Sequence, residues 1–307
     1  MLNKKPIFIL GFQYGGSNIL LNLLRSHPKV CSPRGEIQEV FKGKGFPRPK
    51  ESIPVMFSKL WGYLPIFLSQ KQDIFSLDLW EKRHKFSENT IERVDKILFN
   101  EKFKAREPSQ NKYKSQEIEY TMDEIIDSRL LCKILNGNIF LTDMLYNMYP
   151  DAVFIALVRN GFALCEGNLR RGHDVRTISQ FYEKGCQKMI SDEIRITNYH
   201  IIKFEDILDR PIESMKKIYD FAALDMNEVK KVRLETKKMV TNDGKHEHIH
   251  GVNRKQVIWY DLESFYLHLQ KDVTTNQIKR LTEDQKELIK QNAFNSLKYF
   301  DYINVPT

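Results

Sequence analysis

The sequence predicts an α/β fold in which a parallel β-sheet is flanked by helices. Two short, continuously apolar runs, at residues 6–10 and 153–158, have the composition of strands that are buried on both faces. The first run is followed by a glycine-rich turn over residues 11–16 and by a helical apolar pattern over residues 17–25. Strand, glycine-rich turn and helix together form the typical first unit of such a sheet.

The later elements follow the same logic. Residues 140–148 have a helical pattern, and Pro150-Asp151 then supplies a turn before the strand at 153–158. Residues 200–204 are a third, shorter strand candidate, and residues 212–221 repeat apolar side chains at helical spacing. Residues 282–299 are predicted to form one C-terminal helix with Thr282 as its N-terminal cap.

Residues 42–120 differ from these α/β segments. They begin with a stretch rich in proline and glycine, continue with an aromatic cluster and end in a charged tail. The cluster consists of Phe57, Trp61, Tyr63 and Phe67, and these rings are expected to pack in a core or lid. We therefore predict a single domain over residues 1–307, with residues 42–120 as a helical insertion that caps the sheet.

Composition excludes several classes of protein. The 307 residues carry a formal net charge of +8, which favours an anionic partner, but no nucleic-acid-binding motif accompanies the charge and no nucleic acid is expected. The longest apolar stretch, residues 61–68, is far shorter than the ~20 residues of a membrane span. The N-terminus has no signal-peptide pattern, and the four cysteines form no C-x-x-C pair. Both features suit a reducing cytoplasm.

The turn at residues 11–16 has the G-x-x-x-x-G spacing of a phosphate-binding loop. Such a loop turns backbone N–H groups inward, and the helix that follows adds a partial positive charge. In a nucleoside triphosphatase the next two residues are Lys and Ser or Thr, whereas here they are Ser17 and Asn18. The loop therefore suits an anion but disfavours a metal-dependent phosphotransferase. A purely structural turn is the alternative.

Three stretches resemble the sulfotransferases that use 3'-phosphoadenosine 5'-phosphosulfate (PAPS). The first runs from the loop at residues 11–18 through a leucine-rich helix to Ser26-His27-Pro28. The second is Tyr149-Pro-Asp-Ala-Val-Phe-Ile-Ala-Leu-Val-Arg-Asn160, and the third is Lys203-Phe-Glu-Asp-Ile-Leu208 with Pro211. They lie in the order of that family's motifs. The resemblance implies the family's α/β fold and transfer of a sulfuryl group from PAPS, with 3'-phosphoadenosine 5'-phosphate (PAP) as product.

The resemblance also assigns residues to the nucleotide. It places the 5'-phosphosulfate at the loop and the 3'-phosphate at the end of the second motif. The implied binding residues are Tyr14, Gly15, Gly16, Ser17, Asn18, Arg159, Gly167, Asn253 and Arg254. Several positions depart from the family pattern. In the loop, Tyr14 replaces the cation, Gly15 replaces a serine and Ser17-Asn18 replace two threonines; in the second motif, Asn160-Gly161 replace Asp-Pro and Gly167 replaces the serine of the 3'-phosphate site. Arg34 and Lys133 are two candidates for the missing cation.

Glu36 is the candidate general base, because the family in several branches has a Gly-Glu shortly after the first helix. A carboxylate in this role must reach the acceptor hydroxyl; the alternative is a surface pair between Glu36 and Arg34. His246, His248 and His250 alternate, as metal ligands on a strand would. A polar loop is the favoured interpretation, since no acidic or thiolate partners accompany the histidines and no metal is expected.

The sequence thus predicts a sulfotransferase that moves a sulfuryl group from PAPS to a hydroxyl or amine of a carbohydrate or other small-molecule acceptor. The alternative is a non-catalytic protein on the same fold that binds PAPS, PAP or another nucleotide. Tyr14 is the main support for this alternative, because it removes a cation that catalysis needs.

Overall fold

A computed structural model describes residues 5–32, 88–107, 111–113, 119–236, 238–240, 246–248 and 256–303. Five parallel strands form the central sheet in the order β2-β3-β1-β4-β5. Their bounds are β1 Ile7–Gly11, β2 Val30–Cys31, β3 Arg129–Leu135, β4 Val153–Val158 and β5 Tyr199–Lys203. The predicted α/β class with a parallel sheet is confirmed.

The helices that the structure describes lie between and after these strands. In chain order they are α1 Ser17–Ser26, α2 Glu88–Lys104, α3 Met122–Asp127, α4 Thr142–Met148, α5 Gly161–Leu169, α6 Val175–Arg195, α7 Phe204–Asp209, α8 Pro211–Phe221, α9 Val273–Ile278, α10 Glu283–Asn292 and α11 Phe294–Tyr299. Over the described ranges, no helix combines the length and the apolarity that crossing a membrane requires.

The two faces of the sheet are covered by separate cores. Along β1, Phe8 and Leu10 belong to one core, whereas Ile7 and Ile9 belong to the other. All four side chains are fully buried. Alternate residues of a strand point to opposite faces, so a continuously apolar strand is what a sheet covered on both sides requires.

A second, antiparallel pair lies outside the central sheet. It joins β6 Lys231–Thr236 to β9 Gln256–Asp261, and a smaller pair joins β7 Lys238–Val240 to β8 His246–His248. The sequence favoured a polar loop for the histidine run, and the backbone of His246–His248 is instead a short strand. Antiparallel pairing of a segment this polar has no alternating apolar signal that a sequence pattern would reveal.

The C-terminal prediction needs one correction. Thr282 does cap a helix, because its side chain accepts from Gln285 N and Gln285 reaches back to the Thr282 N–H. The predicted single helix is, however, two helices that meet at Ala293, whose φ of −124° and ψ of 23° are not helical. Ala293 and Leu297 are both fully buried, so tertiary packing decides this break.

The four cysteines are free thiols and are buried. Of the predicted insertion at residues 42–120, the described part contains α2. Its boundaries and the single-domain organisation stay predictions.

Candidate functional site

The loop between β1 and α1 is closed by its own backbone. The Gly15 N–H donates to Phe12 O at 3.1 Å, and the Gln13 N–H donates to the side-chain oxygen of Asn136 at 2.8 Å. Tyr14, between them, has a φ of +64°. The N–H of Gly15 is thus already used within the loop, which leaves the helix start at Gly16, Ser17 and Asn18 as the anion-binding end.

Gly16 caps α1 in a conformation that only glycine adopts without strain. Its φ is +88°, and a Cβ built on it would lie 2.1 Å from the ring of Phe204. Phe204 is the first residue of α7, directly after β5. The aromatic ring therefore packs against the loop and fixes how the chain enters α1.

Lys133 reaches this loop from the neighbouring strand. It lies in β3 opposite Ile9 of β1, and its side chain is buried. Its Nζ donates to Asn18 Oδ1 at 2.8 Å. A buried ammonium is thus held at the first turn of α1, close to the position at which the loop lacks its own cation.

Arg159 reaches the same loop from the other side. It follows β4, which pairs with β1 on the side opposite β3, and it is 5% exposed. One terminal nitrogen, Nη1, donates to Tyr14 O at 2.9 Å, and the guanidinium lies over the Phe204 ring at 4.6 Å. Burial lowers the pKa of Arg159, while the nearby carboxylates Glu205 and Glu166 act in the opposite direction.

Gly167 lies on α5 beside Tyr14 and Gln277. A Cβ at this position would be 3.5 Å from Tyr14 Cβ and 3.3 Å from Gln277 Nε2. Arg171, one turn later, donates to the Gly167 carbonyl and places its guanidinium 3.6 Å from the centre of the Tyr14 ring. The structure therefore brings the predicted residues Tyr14, Arg159 and Gly167 together at one end of the sheet.

Two residues that sequence reasoning missed complete this cluster. Gln277 on α9 accepts from Arg159 Nη2, and its Nε2 donates to Glu166 at 3.0 Å. The Glu166 carboxylate also accepts from Arg280 at 2.6 Å and pairs with Arg170 at 2.8 Å. The contacts of Gln277 with Arg159 and Glu166, and of Arg280 with Glu166, join segments more than 100 residues apart, so no local pattern in the sequence indicates them. For Phe204 a signal existed, because it stands inside the third motif.

Several predicted residues lie outside the part of the chain that the structure describes. These are Arg34, Glu36, Asn253 and Arg254, together with His250. His246 and His248 have a described backbone but no described side chains. Within the described residues there is no group of three or more His, Cys, Asp or Glu side chains that could hold a metal ion.

Comparison with known proteins supports the assignment that the motifs suggested. The chain resembles the sulfotransferase domain of the Synechococcus PCC 7002 olefin synthase, with a TM-score of 0.51 and 15% identity over 99% of this chain and 98% of that one. It resembles the sulfotransferase domain from the curacin biosynthetic pathway with a TM-score of 0.51 and 13% identity, over 98% and 99% of the two chains. A comparison with curated protein sequences gives no match. The model of the sulfotransferase family matches residues 6–228, and the chain therefore belongs to the sulfotransferase family.

Proposed function

We propose that this protein transfers a sulfuryl group from PAPS to a hydroxyl or amine of a small-molecule or glycan acceptor. One observation carries the proposal. Two buried cations, Lys133 and Arg159, converge on the glycine loop from the two strands that flank β1. Cations at the carboxyl end of a parallel sheet, around a helix N-terminus, favour a ligand with several anionic groups.

The residues present fit both anionic ends of PAPS. Lys133 and the first N–H groups of α1 would hold the 5'-phosphosulfate. Arg159 would hold the 3'-phosphate, and it still has a donor for that purpose: its Nε is buried without a hydrogen-bond partner. A buried donor left in this state is costly, and a phosphate oxygen would satisfy it.

In the proposed reaction, Glu36 accepts the acceptor's proton while the acceptor oxygen forms a bond to sulfur. The bond between sulfur and the 5'-phosphate oxygen breaks, and PAP leaves with the electron pair. Lys133 and the N–H groups of Ser17 and Asn18 stabilise the charge that grows on this leaving oxygen. Catalysis then depends on positioning and on fixed charges, as in phosphoryl transfer.

The length of chain between β2 and Glu36 can be compared with the distance from the end of β2 to Lys133. β2 ends at Cys31, opposite Leu130 of β3, so Lys133 lies three residues further along the neighbouring strand. Three strand residues span about 10 Å. Four extended residues after Ser32 span up to about 13 Å. The chain is therefore long enough for Glu36 to come near Lys133, as the proposed role requires.

Isothermal titration with PAP and with adenosine 5'-monophosphate, followed by a transfer assay with PAPS, tests the proposal. PAP should bind at least about tenfold more tightly, because a charged hydrogen-bonded pair with Arg159 contributes about 1.5–3 kcal/mol. Arg159→Ala should remove the preference. Equal affinities of the wild type for the two nucleotides would contradict the assignment of PAPS.

The alternative, a nucleotide-binding protein without catalysis, rests on Tyr14. Tyr14 stands where the family pattern has a cation, and its ring is neutral, with the Arg171 guanidinium 3.6 Å from the ring centre. Tight binding of PAP without transfer to any acceptor hydroxyl or amine would favour this alternative.

A further inference from the structure

Gln277 occupies the side of Arg159 that a phosphate would use. A guanidinium binds a phosphate best through two parallel N–H groups, and Nε with Nη2 forms one such edge. In Arg159 the Nη2 of this edge donates to Gln277 Oε1 and, at 3.4 Å, to Thr274 Oγ1. The Nε of the same edge is buried without a partner.

The other contacts of the Arg159 guanidinium hold it against the loop. Nη1 donates to the backbone oxygen of Tyr14 at 2.9 Å, and one face of the group is covered by the Phe204 ring. The edge of Nε and Nη2 contains the nitrogen that is buried without a partner, so a 3'-phosphate gains most from a two-point contact along this edge. The carboxamide oxygen of Gln277 stands at one of those two points.

The carboxamide is held in this position from its other end. Its Nε2 donates to Glu166, and the carboxylate of Glu166 is fixed by Arg170 and Arg280. Glycine at position 167 leaves room for the carboxamide, since a Cβ there would lie 3.3 Å from Gln277 Nε2, a tight contact. The position of the Gln277 carboxamide thus depends on the absence of a side chain at Gly167.

We infer that Gln277 is a specificity-determining residue that competes with the nucleotide's 3'-phosphate for Arg159. The inference rests on the proposed function. Binding of a 3'-phosphorylated nucleotide displaces the Gln277 carboxamide, so part of the gain from the phosphate is lost in breaking the contact between Arg159 and Gln277. The apparent affinity for PAP is the intrinsic affinity multiplied by the fraction of molecules in which Gln277 does not occupy Arg159. A nucleotide without a 3'-phosphate is not affected.

Two substitutions test the inference: one removes the Gln277 carboxamide, and the other crowds it. Gln277→Ala removes the competitor. Gly167→Ala crowds the carboxamide without adding a hydrogen-bonding group, on a helix in which alanine is tolerated better than glycine. Asn276→Ala is the matched control, because Asn276 is the exposed preceding residue of the same helix.

Isothermal titration is performed with PAP and with adenosine 5'-monophosphate. Gln277→Ala should bind PAP about tenfold more tightly, the contribution of one hydrogen bond to a charged group, with affinity for the monophosphate unchanged. Gly167→Ala should shift PAP binding in the same direction, and Asn276→Ala should leave both affinities unchanged. If Gln277→Ala does not fold, the result for Gly167→Ala decides.

Weaker or unchanged PAP binding in the folded Gln277→Ala variant would overturn the inference, since Gln277 would then be a ligand of the phosphate or a bystander. Tighter PAP binding in that variant, with no transfer by any form of the protein, would support the inference and contradict the proposed function. Sulfuryl transfer by the wild type, with PAP affinity unchanged in Gln277→Ala, would support the proposed function and contradict the inference. No PAP binding by any form would overturn both.

Discussion

Lys133 and Asn18 are joined by a hydrogen bond of 2.8 Å between Nζ and Oδ1. The bond connects β3, in the middle of the sheet, with the first turn of α1. It places a buried positive charge at the helix start, although the loop itself, with Tyr14 in place of the family's cation, carries none. The charge that the loop lacks is thus available from a neighbouring strand.

Replacement of Lys133 by Met should lower the rate of sulfuryl transfer by about 10²–10³-fold, the usual loss when one group that stabilises a leaving oxygen is removed. Lys133→Arg should restore part of the rate. The matched control is Lys203→Met, because Lys203 is also a lysine in a strand of the central sheet but donates to Phe300 O at 2.6 Å. A steady-state assay with PAPS measures these rates. Equal losses in the Lys133→Met and Lys203→Met variants would show a structural role only.

Restoration of the family's cation at position 14 should not raise activity. In Tyr14→Arg, the new guanidinium would lie against Arg171, which now lies 3.6 Å from the Tyr14 ring. The two like charges repel each other, and Lys133 already supplies the charge. We expect unchanged or lower kcat/KM for PAPS, and Tyr14→Phe, which keeps the ring, should behave like the wild type. A clear gain in kcat from Tyr14→Arg would show that Lys133 does not replace the cation.

Gly16→Ala should destabilise the fold and the loop together. The substitution places a Cβ 2.1 Å from the Phe204 ring at a φ of +88°. Gly172→Ala is the matched control, since Gly172 has a φ of +83° but nothing within 4 Å of the added Cβ. Urea unfolding should show a loss of about 1 kcal/mol for the control, from backbone strain alone, and a distinctly larger loss for Gly16→Ala. Similar losses in both variants would mean that Phe204 moves aside freely.

The sequence predicted the centre of the fold better than its edges. β4 was predicted at its observed bounds, and β1 within one residue at each end, because both are continuously apolar and followed by a clear motif. β3 was missed as a strand because it begins with Arg129 and Lys133 interrupts its apolar run. Lys133 was nevertheless singled out, through the family resemblance. A polar residue inside a buried strand breaks the apolar pattern by which the strand is predicted, and such exceptions are expected at functional sites.

The same contrast holds for the candidate site. Tyr14, Arg159 and Gly167 were predicted together, because each lies in or near a recognisable motif. Gln277 and Glu166 were not, since their roles depend on α9 packing against α5 across a long stretch of chain. No local propensity or spacing encodes such a contact.

Glu166 should make the stability of the protein depend on pH in the acid range. Burial raises the pKa of its carboxyl, but hydrogen bonds from Arg280 and Gln277 and the charges of Arg170 and Arg280 outweigh burial, so the pKa lies below its usual value of 4.5. A depressed pKa stabilises the fold above pH 4.5, and this contribution disappears as the pH falls through the folded-state value. The destabilisation caused by Glu166→Gln should therefore be largest near pH 7 and shrink below pH 4.5.

Chemical denaturation of the wild type and of Glu166→Gln across this pH range measures the effect. Glu283→Gln serves as the control, because Glu283 is highly exposed and its ion pair with Lys286 is screened by water. A destabilisation by Glu166→Gln that does not vary with pH would show that packing, and not the carboxylate charge, is what the substitution removes.

Glu36→Gln separates general-base catalysis from packing, because it keeps the size of the side chain and removes its basicity. We expect kcat to fall by at least about a hundredfold, within the usual range for a positioned base, while the affinity for PAP stays nearly unchanged. The acceptor loses its proton only as its bond to sulfur forms, so the loss belongs to the transition state. Glu36→Asp should keep part of the rate, limited by its shorter reach. Turnover near that of the wild type in Glu36→Gln, measured in the same transfer assay, would place the base on another residue.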